Sequence, residues 1–349
     1  MGSKTNKVEQ VPRAHLVPAS SVPLQGIIEL ARRTYGAHAY QSSLDLYRWC
    51  YMENPHREAA MDHVVVAVTD EGQVVGTMDK FYMEWEVYGE RVVFPSTGNL
   101  VLDASYRKGG LGLRLVLRYT AGEMYVLFNG ANANSAPLFR GLKYQELEGA
   151  FWGWKLLAPL RAAVRHGMHR AWGISPGSGT GMITEKWGRY SVVAVPDDAL
   201  IARIAGFLNE RAMPVKPHWS PAGLRWRCFH PHGPRHVIIH DDVDAMIISL
   251  GVRRGVRLAR IVAHHARDER SFAMILDAAV RWTRKAGMDA VATFTFDRNE
   301  AKSMSKAGFK QRKDPPSTFL YQDRKAAVVP FDRIHVPGVA TDMGLDGIG

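Results

Sequence analysis

Six residues, Arg107-Lys108-Gly109-Gly110-Leu111-Gly112, have the types and spacing needed to hold a diphosphate. They follow an apolar, strand-like run at 99–103 and lead directly into a helical run at 111–125. Glycines let successive backbone N–H groups approach a ligand without a clash from Cβ atoms. The start of a helix adds the positive end of its dipole, and the Arg and Lys side chains add charge. The pattern therefore predicts a diphosphate-binding loop, with a glycine turn that only caps the helix as the alternative.

A second motif follows after one more helix and one more strand, in Asn132-Ala-Asn-Ser135-Ala-Pro-Leu138-Phe139 and the residues up to Tyr144. In this order and separation, the two motifs resemble the paired signatures of the GCN5-related N-acetyltransferase (GNAT) superfamily. The resemblance implies an α/β (α+β) fold, a mixed and mostly antiparallel sheet flanked by helices. It also implies an acyl-CoA co-substrate, acetyl-CoA or another, and no metal.

The loop and the resemblance together predict a set of coenzyme contacts: Leu102, Arg107, Lys108, Gly109, Gly110, Leu111, Gly112, Leu113 and Asn132. Backbone N–H groups of residues 110–113 would bind the pyrophosphate, and the two basic side chains would pair with phosphates. The resemblance places Asn132 near the pantetheine arm. A helix cap or Asx-turn is the alternative role for this residue, and the two roles are compatible.

In the family mechanism, an acceptor amine attacks the thioester, a base takes the amine proton, and a tyrosine protonates the leaving thiolate. Here Phe139 stands at the tyrosine position, and Lys143 stands where the family usually has glycine. Tyr144 takes the aromatic position of the family's Gly-Phe pair, which favours a packing role. The general acid is therefore left unassigned.

Two carboxylates, Glu84 and Glu86, are the candidate bases. They alternate with apolar residues, so both lie on one face of a predicted strand, where they could flank an acceptor. Exposed carboxylates on a hairpin are the alternative. His264 and His265, which end a predicted strand later in the chain, are nearly as plausible if the acceptor lies between two domains.

An internal repeat indicates two GNAT-like domains in tandem. An offset of 178 residues places Leu46 on Leu224 and Cys50 on Cys228, each within a Trp-containing string. A period of this length indicates duplicated domains. The loop of the second copy, Ala266-Arg-Asp-Glu-Arg270, has two carboxylates and no glycine, so we expect it to have lost the coenzyme site.

The expected organisation is a flexible tail (1–12), a GNAT domain with the acyl-CoA site (13–165), a connection (166–188), a degenerate GNAT-like domain (189–329) and a C-terminal tail (330–349). The Gly- and Ser-rich string at 175–181 lacks the Lys-Ser/Thr that ends a phosphate-binding loop. Trp152 and Trp154 would pack the joint between the halves or line an acceptor groove.

Composition agrees with a globular protein of the cytoplasm. The chain has 349 residues, two cysteines and 46% hydrophobic residues, and no apolar run is long enough to span a bilayer. We therefore expect no disulfide framework and no membrane contact. The formal charge of +11 attracts anions, although its basic residues are scattered along the chain.

These features predict an acyl-CoA-dependent N-acyltransferase that transfers an acetyl group to a primary amine of a small-molecule acceptor. One alternative is a Fem-like aminoacyltransferase that uses aminoacyl-tRNA, favoured by the charge and the tandem fold; outside that reading, nucleic acid is not expected. A second is a non-catalytic GNAT-fold binding protein, favoured by Phe139. The acceptor, the acyl chain length and the oligomeric state are left open.

Overall fold

The structure is a computed structural model that describes residues 13–36, 42–56, 64–96, 99–173, 184–231, 235–323 and 334–338. The first half contains, in order, β1 (Ala14–Pro18), α1 (Leu24–Tyr35), α2 (Leu44–Tyr47) with a π-helical turn (Arg48–Met52), β2 (Val64–Thr69), β3 (Val74–Asp79), β4 (Tyr82–Val87), β5 (Glu90–Pro95), β6 (Leu100–Leu102), α3 (Leu111–Thr120), β7 (Tyr125–Ala131), α4 (Ala136–Gly141), β8 (Gln145–Leu147) and β9 (Phe151–Leu156). Helix α5 (Pro159–Trp172) then leads to the second half.

The second half has a similar order of elements, with additional strands before and after its first helix and two long strands in place of β3 to β6. It contains β10 (Thr184–Trp187), β11 (Tyr190–Val193), α6 (Asp198–Asn209), β12 (Val215–Pro217), α7 (Pro221–Phe229), β13 (Arg235–His240), β14 (Ala245–Arg253), β15 (Val256–His265), α8 (Glu269–Lys285), β16 (Ala290–Thr295), α9 (Arg298–Lys306), β17 (Lys310–Gln311) and β18 (Ser317–Gln322). The described strands form four mostly antiparallel sheets flanked by helices: one sheet of eight strands, one of four and two of three. This is the α/β class of fold that the sequence predicted.

The central hairpin of each half turns in the same way. Tyr88 and Gly89 in the first half, and Arg254 and Gly255 in the second, have positive φ angles, as a two-residue hairpin turn requires. In the second half, β14 pairs with β15 along its whole length. In the first half the hairpin is divided, because β4 pairs with β5 while β3 pairs with β6.

The two halves exchange one strand each. Strand β9 of the first half lies between β16 and β17, in a sheet of order β10-β11-β13-β14-β15-β16-β9-β17. Strand β18 of the second half lies between β7 and β8. The repeats in the sequence are therefore consecutive, but neither sheet is complete without a strand from the other repeat.

A shared apolar core joins the halves. It contains Trp85 and Phe94 of the first half together with α6 and α7 of the second, and all of these contribute buried side chains. Strand β12 also adds to the β4–β5 hairpin, giving the order β12-β4-β5. This arrangement brings the hairpin that carries Glu84 and Glu86 to the junction of the halves.

Several expected segment boundaries fall on ordered elements. Residues 166–172 of the expected connection belong to α5, and residues 184–187 form β10. Ile334 and Val336, from the expected C-terminal tail, are buried in the shared core. The string 175–181 and the tail 1–12 lie outside the described residues. Within the described residues, no helix has the length and apolarity needed to cross a bilayer.

Candidate active site

The glycine loop forms the start of α3 and leaves it open to a ligand. Gly110 is the N-cap residue, with φ at 74°, and no side chain of the described residues caps the helix. The exposed Arg107 and Lys108 lie immediately before it. A Cβ atom added at Gly112 would lie 3.1 Å from Cδ1 of Leu102, so a larger residue here would require the Leu102 side chain on β6 to shift. The first turn therefore offers N–H groups and dipole charge at an accessible surface.

A gap between two strands leads to this loop. Strand β7 lies beside β5, where the rings of Phe94 and Tyr125 are 5.7 Å apart. Strand β6 follows β5 but belongs to a different sheet from β7. The corresponding strands of the second half, β15 and β16, pair in parallel through four residues, from Leu258 to Ile261. In the first half, the matching strands β6 and β7 are therefore not paired, and β6 ends shortly before the glycine loop.

The matching helix start in the second half is already occupied by the protein itself. Asp268 is the N-cap residue of α8, and its carboxylate accepts a hydrogen bond from the backbone N–H of Ser271 at 2.7 Å. This hydrogen bond is the main reason that the pKa of Asp268 lies below its usual range. A diphosphate here would have to displace one carboxylate and approach a second, Glu269.

Asn132 has the geometry of a helix cap, the alternative role that its sequence position allows. Its Oδ1 accepts hydrogen bonds from the N–H groups of Asn134, at 2.9 Å, and Ser135, at 3.3 Å. The residue is exposed at the end of β7, so the cap does not bury it. Lys143 has a φ of 60°, which explains why glycine suits this position.

Phe139 lies in the apolar core of the first half. Its ring contacts Phe128, with centroids 4.4 Å apart, and Phe319 of the exchanged strand, at 5.3 Å. The Tyr144 ring stacks on the same Phe128 ring, and the Tyr144 hydroxyl lies 3.4 Å from the hydroxyl of Thr120. Both aromatic residues therefore contribute to packing.

The two carboxylates of β4 are half-buried at the junction between the halves. Glu86 forms an ion pair with Lys216 of β12 at 3.6 Å. Glu84 lies near His56 and His218, and its charge partly offsets the burial that lowers the pKa of both histidines. The structure thus places Glu84 near two imidazoles, while Glu86 is ion-paired with Lys216.

Asp79 is a buried carboxylate that sequence reasoning missed. It ends β3, at the point where the ladder to β6 stops, and its Oδ2 accepts a hydrogen bond from the hydroxyl of Tyr51 at 3.1 Å. Burial raises the pKa of Asp79 to about 7, against the opposing effects of Tyr51 and of Asn99. Its Oδ1 has no hydrogen-bond partner among the described residues. The available signal was one carboxylate at the end of an otherwise uncharged strand, Val74–Asp79.

The two histidines of the second half belong to a separate network. His264 Nε2 lies 2.8 Å from the carboxylate of Glu300, a half-buried residue that also forms an ion pair with Arg211. Burial acts to raise the pKa of Glu300, but the charges of His264 and Arg211 outweigh it, and the pKa lies below its usual range. His265 lies 3.6 Å from Glu210, and burial lowers the pKa of His265. These groups line a cavity of about 380 Å³ beside the closed start of α8. Among the described residues, no group of His, Cys, Asp and Glu side chains could hold a metal ion.

Solved structures with this arrangement of elements are known. N-Myristoyltransferase of Saccharomyces cerevisiae with bound myristoyl-CoA matches with a TM-score of 0.61 at 10% identity, over 92% of this chain and 86% of that one. A GCN5-related N-acetyltransferase from Anabaena variabilis matches with a TM-score of 0.53 at 12% identity, over 88% and 72% of the two chains. One from Kribbella flavida matches with a TM-score of 0.53 at 14% identity, over 89% and 72%. No protein-family model matches the sequence, and no curated protein matches it.

The chain therefore has the fold shared by N-myristoyltransferase and the two GCN5-related N-acetyltransferases, and the fold predicted from the two motifs is confirmed. The two copies differ at the start of the helix that follows the central hairpin. The first copy has an open, glycine-rich start at Gly110, and the second has a start closed by Asp268.

Proposed function

We propose that this protein is an acyl-CoA-dependent N-acyltransferase that binds its coenzyme in the first half only. The observation that carries the proposal is the contrast between the two helix starts. The uncapped N-terminus of α3, beside the gap between β6 and β7, suits a pyrophosphate followed by a pantetheine arm. In the second half, the carboxylate of Asp268 opposes a pyrophosphate at the helix start. The pairing of β15 with β16 leaves no opening between these strands for a pantetheine arm.

Under this proposal, the N–H groups of residues 110–113 bind the pyrophosphate. Arg107 and Lys108 are exposed beside the loop and pair with phosphate oxygens. Asn132 is exposed directly after the end of β7, and we assign it to the pantetheine arm, which would run between β6 and β7. The cap that Asn132 forms through its Oδ1 leaves the orientation of its amide fixed for such a contact.

The reaction proposed is direct transfer. The nitrogen of a neutral primary amine attacks the thioester carbonyl, a C–N bond forms, the C–S bond breaks, and one amine proton is lost. A base with a pKa near the working pH suits this step. Asp79 fits that requirement, because burial raises its pKa to about 7. It lies just beyond the Leu100 end of the β3–β6 ladder.

The same carboxyl group also offers a route for protonating the thiolate. Phe139 has no proton to donate and lies in the core. We therefore assign Asp79 both roles: it takes the amine proton and returns it to the sulfur of coenzyme A. Glu84, beside His56 and His218, is the second candidate base and lies nearer to the other half of the protein.

The donor and the acceptor are proposed from the sequence motifs and the fold. Acetyl-CoA is the first donor to test, and a small molecule with a primary amine is the acceptor class. The myristoyl-CoA bound by the yeast structural neighbour makes longer acyl chains a necessary comparison. The acceptor would approach from the junction of the halves, where β4 meets β12.

Titration calorimetry with CoA, acetyl-CoA and myristoyl-CoA tests the proposal. One site per chain is expected, with an affinity that changes little between low and moderate salt. Steep weakening with salt, together with binding of tRNA, would instead favour the aminoacyl-tRNA alternative. Coenzyme binding without turnover over a broad panel of amines would favour a binding protein, and no coenzyme binding at all would contradict the proposal.

A further inference from the structure

The π-helical turn at Arg48–Met52 brings a tyrosine hydroxyl to Asp79. The Tyr51 hydroxyl donates a hydrogen bond to Oδ2 of Asp79 at 3.1 Å, and both side chains are buried. π-Helical turns are uncommon and are frequent at functional sites. The two residues are 28 positions apart in the chain, so the fold rather than the local sequence makes this contact.

This turn is held in place from two sides. The amide Nδ2 of Asn54, a buried residue, donates to the carbonyl oxygen of Tyr82 at the start of β4, at 3.0 Å. On the other side, the indole N–H of Trp49 donates to the carbonyl oxygen of Trp226 in the second half, at 2.8 Å. The turn is therefore tied both to β4 and to the second half, and these contacts fix where the Tyr51 side chain lies.

The hydrogen bond from Tyr51 occupies one oxygen of the Asp79 carboxyl group. The other oxygen, Oδ1, has no hydrogen-bond partner among the described residues. A donor on one oxygen holds the orientation of a carboxylate and stabilises its charged form, while the second oxygen is left to receive a proton. The Tyr51 hydroxyl thus acts against burial, which raises the pKa of Asp79, and Asn99 has a smaller effect in the same direction as Tyr51.

Several other titratable or charged groups surround this contact: Cys50 of the turn, Tyr82 of β4, Tyr119 of α3, Lys80 and Glu123 beside it, and Arg227 of α7. Burial raises the pKa of Cys50 to about 12 and that of Tyr119 well above its ordinary value, so both keep their protons at pH 7. Glu123 binds Lys80 at 2.6 Å and the Tyr82 hydroxyl at 2.7 Å. Loss of the Tyr51 hydroxyl would therefore change the surroundings of Asp79 without removing any of these groups.

We propose that Tyr51 is the positioning residue of the catalytic carboxylate, and that its hydroxyl holds Asp79 with Oδ1 left to take the proton of the acceptor amine. This inference rests on the proposed function, in which Asp79 is the base. The amine proton moves to Asp79 and then to the sulfur of coenzyme A, and Tyr51 keeps its own proton throughout. Tyr51 therefore acts through Asp79 and does not replace, as an acid, the tyrosine that is absent at position 139.

The pH dependence of kcat/KM in Tyr51→Phe tests this proposal, with acetyl-CoA and an amine that the wild type accepts. The limb that belongs to Asp79 is first identified by its loss in Asp79→Asn. In Tyr51→Phe the carboxylate loses a donor, so this limb should move to higher pH by about half to one pH unit. Below the limb, kcat/KM should then fall by about threefold to tenfold.

The matched control is Tyr47→Phe, which removes a hydroxyl from the neighbouring ring, 4.9 Å from the Tyr51 ring between centroids. Tyr47 is not among the residues whose hydrogen bonds act on Asp79, so the limb should stay in place. Thermal unfolding should show that both variants are folded. Replacement of Tyr51 by 3-fluorotyrosine provides a second measurement, because its more acidic hydroxyl is a stronger donor and should move the limb to lower pH.

The two proposals fail in different ways. An Asp79-dependent limb that stays in place in Tyr51→Phe and with 3-fluorotyrosine would overturn this inference alone, because the contact would then be structural. An equal displacement in Tyr47→Phe would overturn it as well. Turnover without any limb that depends on Asp79, or no turnover at all, would overturn the proposed role of Asp79 and this inference with it.

Discussion

Trp49 and Trp226 exchange hydrogen bonds across the junction of the two halves. The indole N–H of Trp49 donates to the carbonyl oxygen of Trp226 at 2.8 Å, and that of Trp226 donates to the carbonyl of Trp49 at 3.0 Å. Their rings are 5.9 Å apart. The two residues occupy matching strings of the repeat, next to Cys50 and Cys228, so the pair marks an approximate twofold relation between the copies.

This pair should stabilise the whole molecule. Trp49→Phe removes one donor, leaves the buried Trp226 carbonyl unpaired and creates a cavity, so we expect the free energy of unfolding to fall by about 2–4 kcal/mol. Urea unfolding measures the change. Trp172→Phe, at an exposed position, should change stability by less than about 0.5 kcal/mol. Equal effects of the two substitutions would show that the reciprocal pair contributes nothing particular.

The coenzyme loop is tested by a matched pair of glycine substitutions. Gly110→Asp places a carboxylate in the proposed pyrophosphate site and should abolish binding of acetyl-CoA in calorimetry. Gly72→Asp is the control, because both glycines have positive φ and open space around the missing Cβ, so both substitutions bring similar backbone strain. Binding by the Gly110 variant at wild-type affinity would exclude this loop as the site.

Asp79 should control the pH dependence of turnover. In the wild type, kcat/KM should rise with pH through a pKa of about 7, because the base must be deprotonated. Asp79→Asn should lower kcat by a factor on the order of 100 to 10,000 and remove that limb of the profile. A limb due to the acceptor amine would remain in the variant. If Glu84→Gln removes the limb and Asp79→Asn does not, the base is Glu84.

The same carboxyl group should make stability depend on pH. The folded-state pKa of Asp79, about 7, lies above the ordinary value of 3.8 for an aspartate, so its favourable contribution is complete below pH 3.8 and is lost as pH rises towards 7. Between pH 5 and 8, the wild type should therefore lose about 3 kcal/mol relative to Asp79→Asn. Urea unfolding of both proteins at the two pH values gives this difference, and parallel pH profiles would contradict the raised pKa.

The strand exchange predicts that neither half folds alone. A fragment of residues 1–173 lacks β18, which fills the position between β7 and β8, and it should be insoluble or unfolded. Co-expression with residues 184–349 should restore a soluble complex, because each fragment then supplies the strand that the other needs. Size-exclusion chromatography and circular dichroism decide the outcome. A soluble, monomeric and folded first fragment would show that the exchanged strand is dispensable.

Local sequence determined the parts of this protein that depend on neighbouring residues. The glycines of 107–112 need no distant partner to form an open helix start, and Gly110 is indeed the uncapped N-cap of α3. The repeat that links Cys50 to Cys228 likewise predicted two similar folds, because related strings adopt related structures. The sequence also predicted that the loop of the second copy would not bind a coenzyme. This prediction depends on nearby residues alone, since Asp268 caps the helix that follows it.

Tertiary structure alone decided the features that depend on residues far apart in the chain. Strand exchange places β9 and β18 in each other's sheets, and period-two patterns state only that a segment is a strand, not which neighbour it pairs with. The environment of Asp79 depends on Tyr51 and on burial, neither of which is a property of its own segment. Phe139 matched a motif position, yet its core location follows from packing against Phe319, which reaches it only through the exchanged strand.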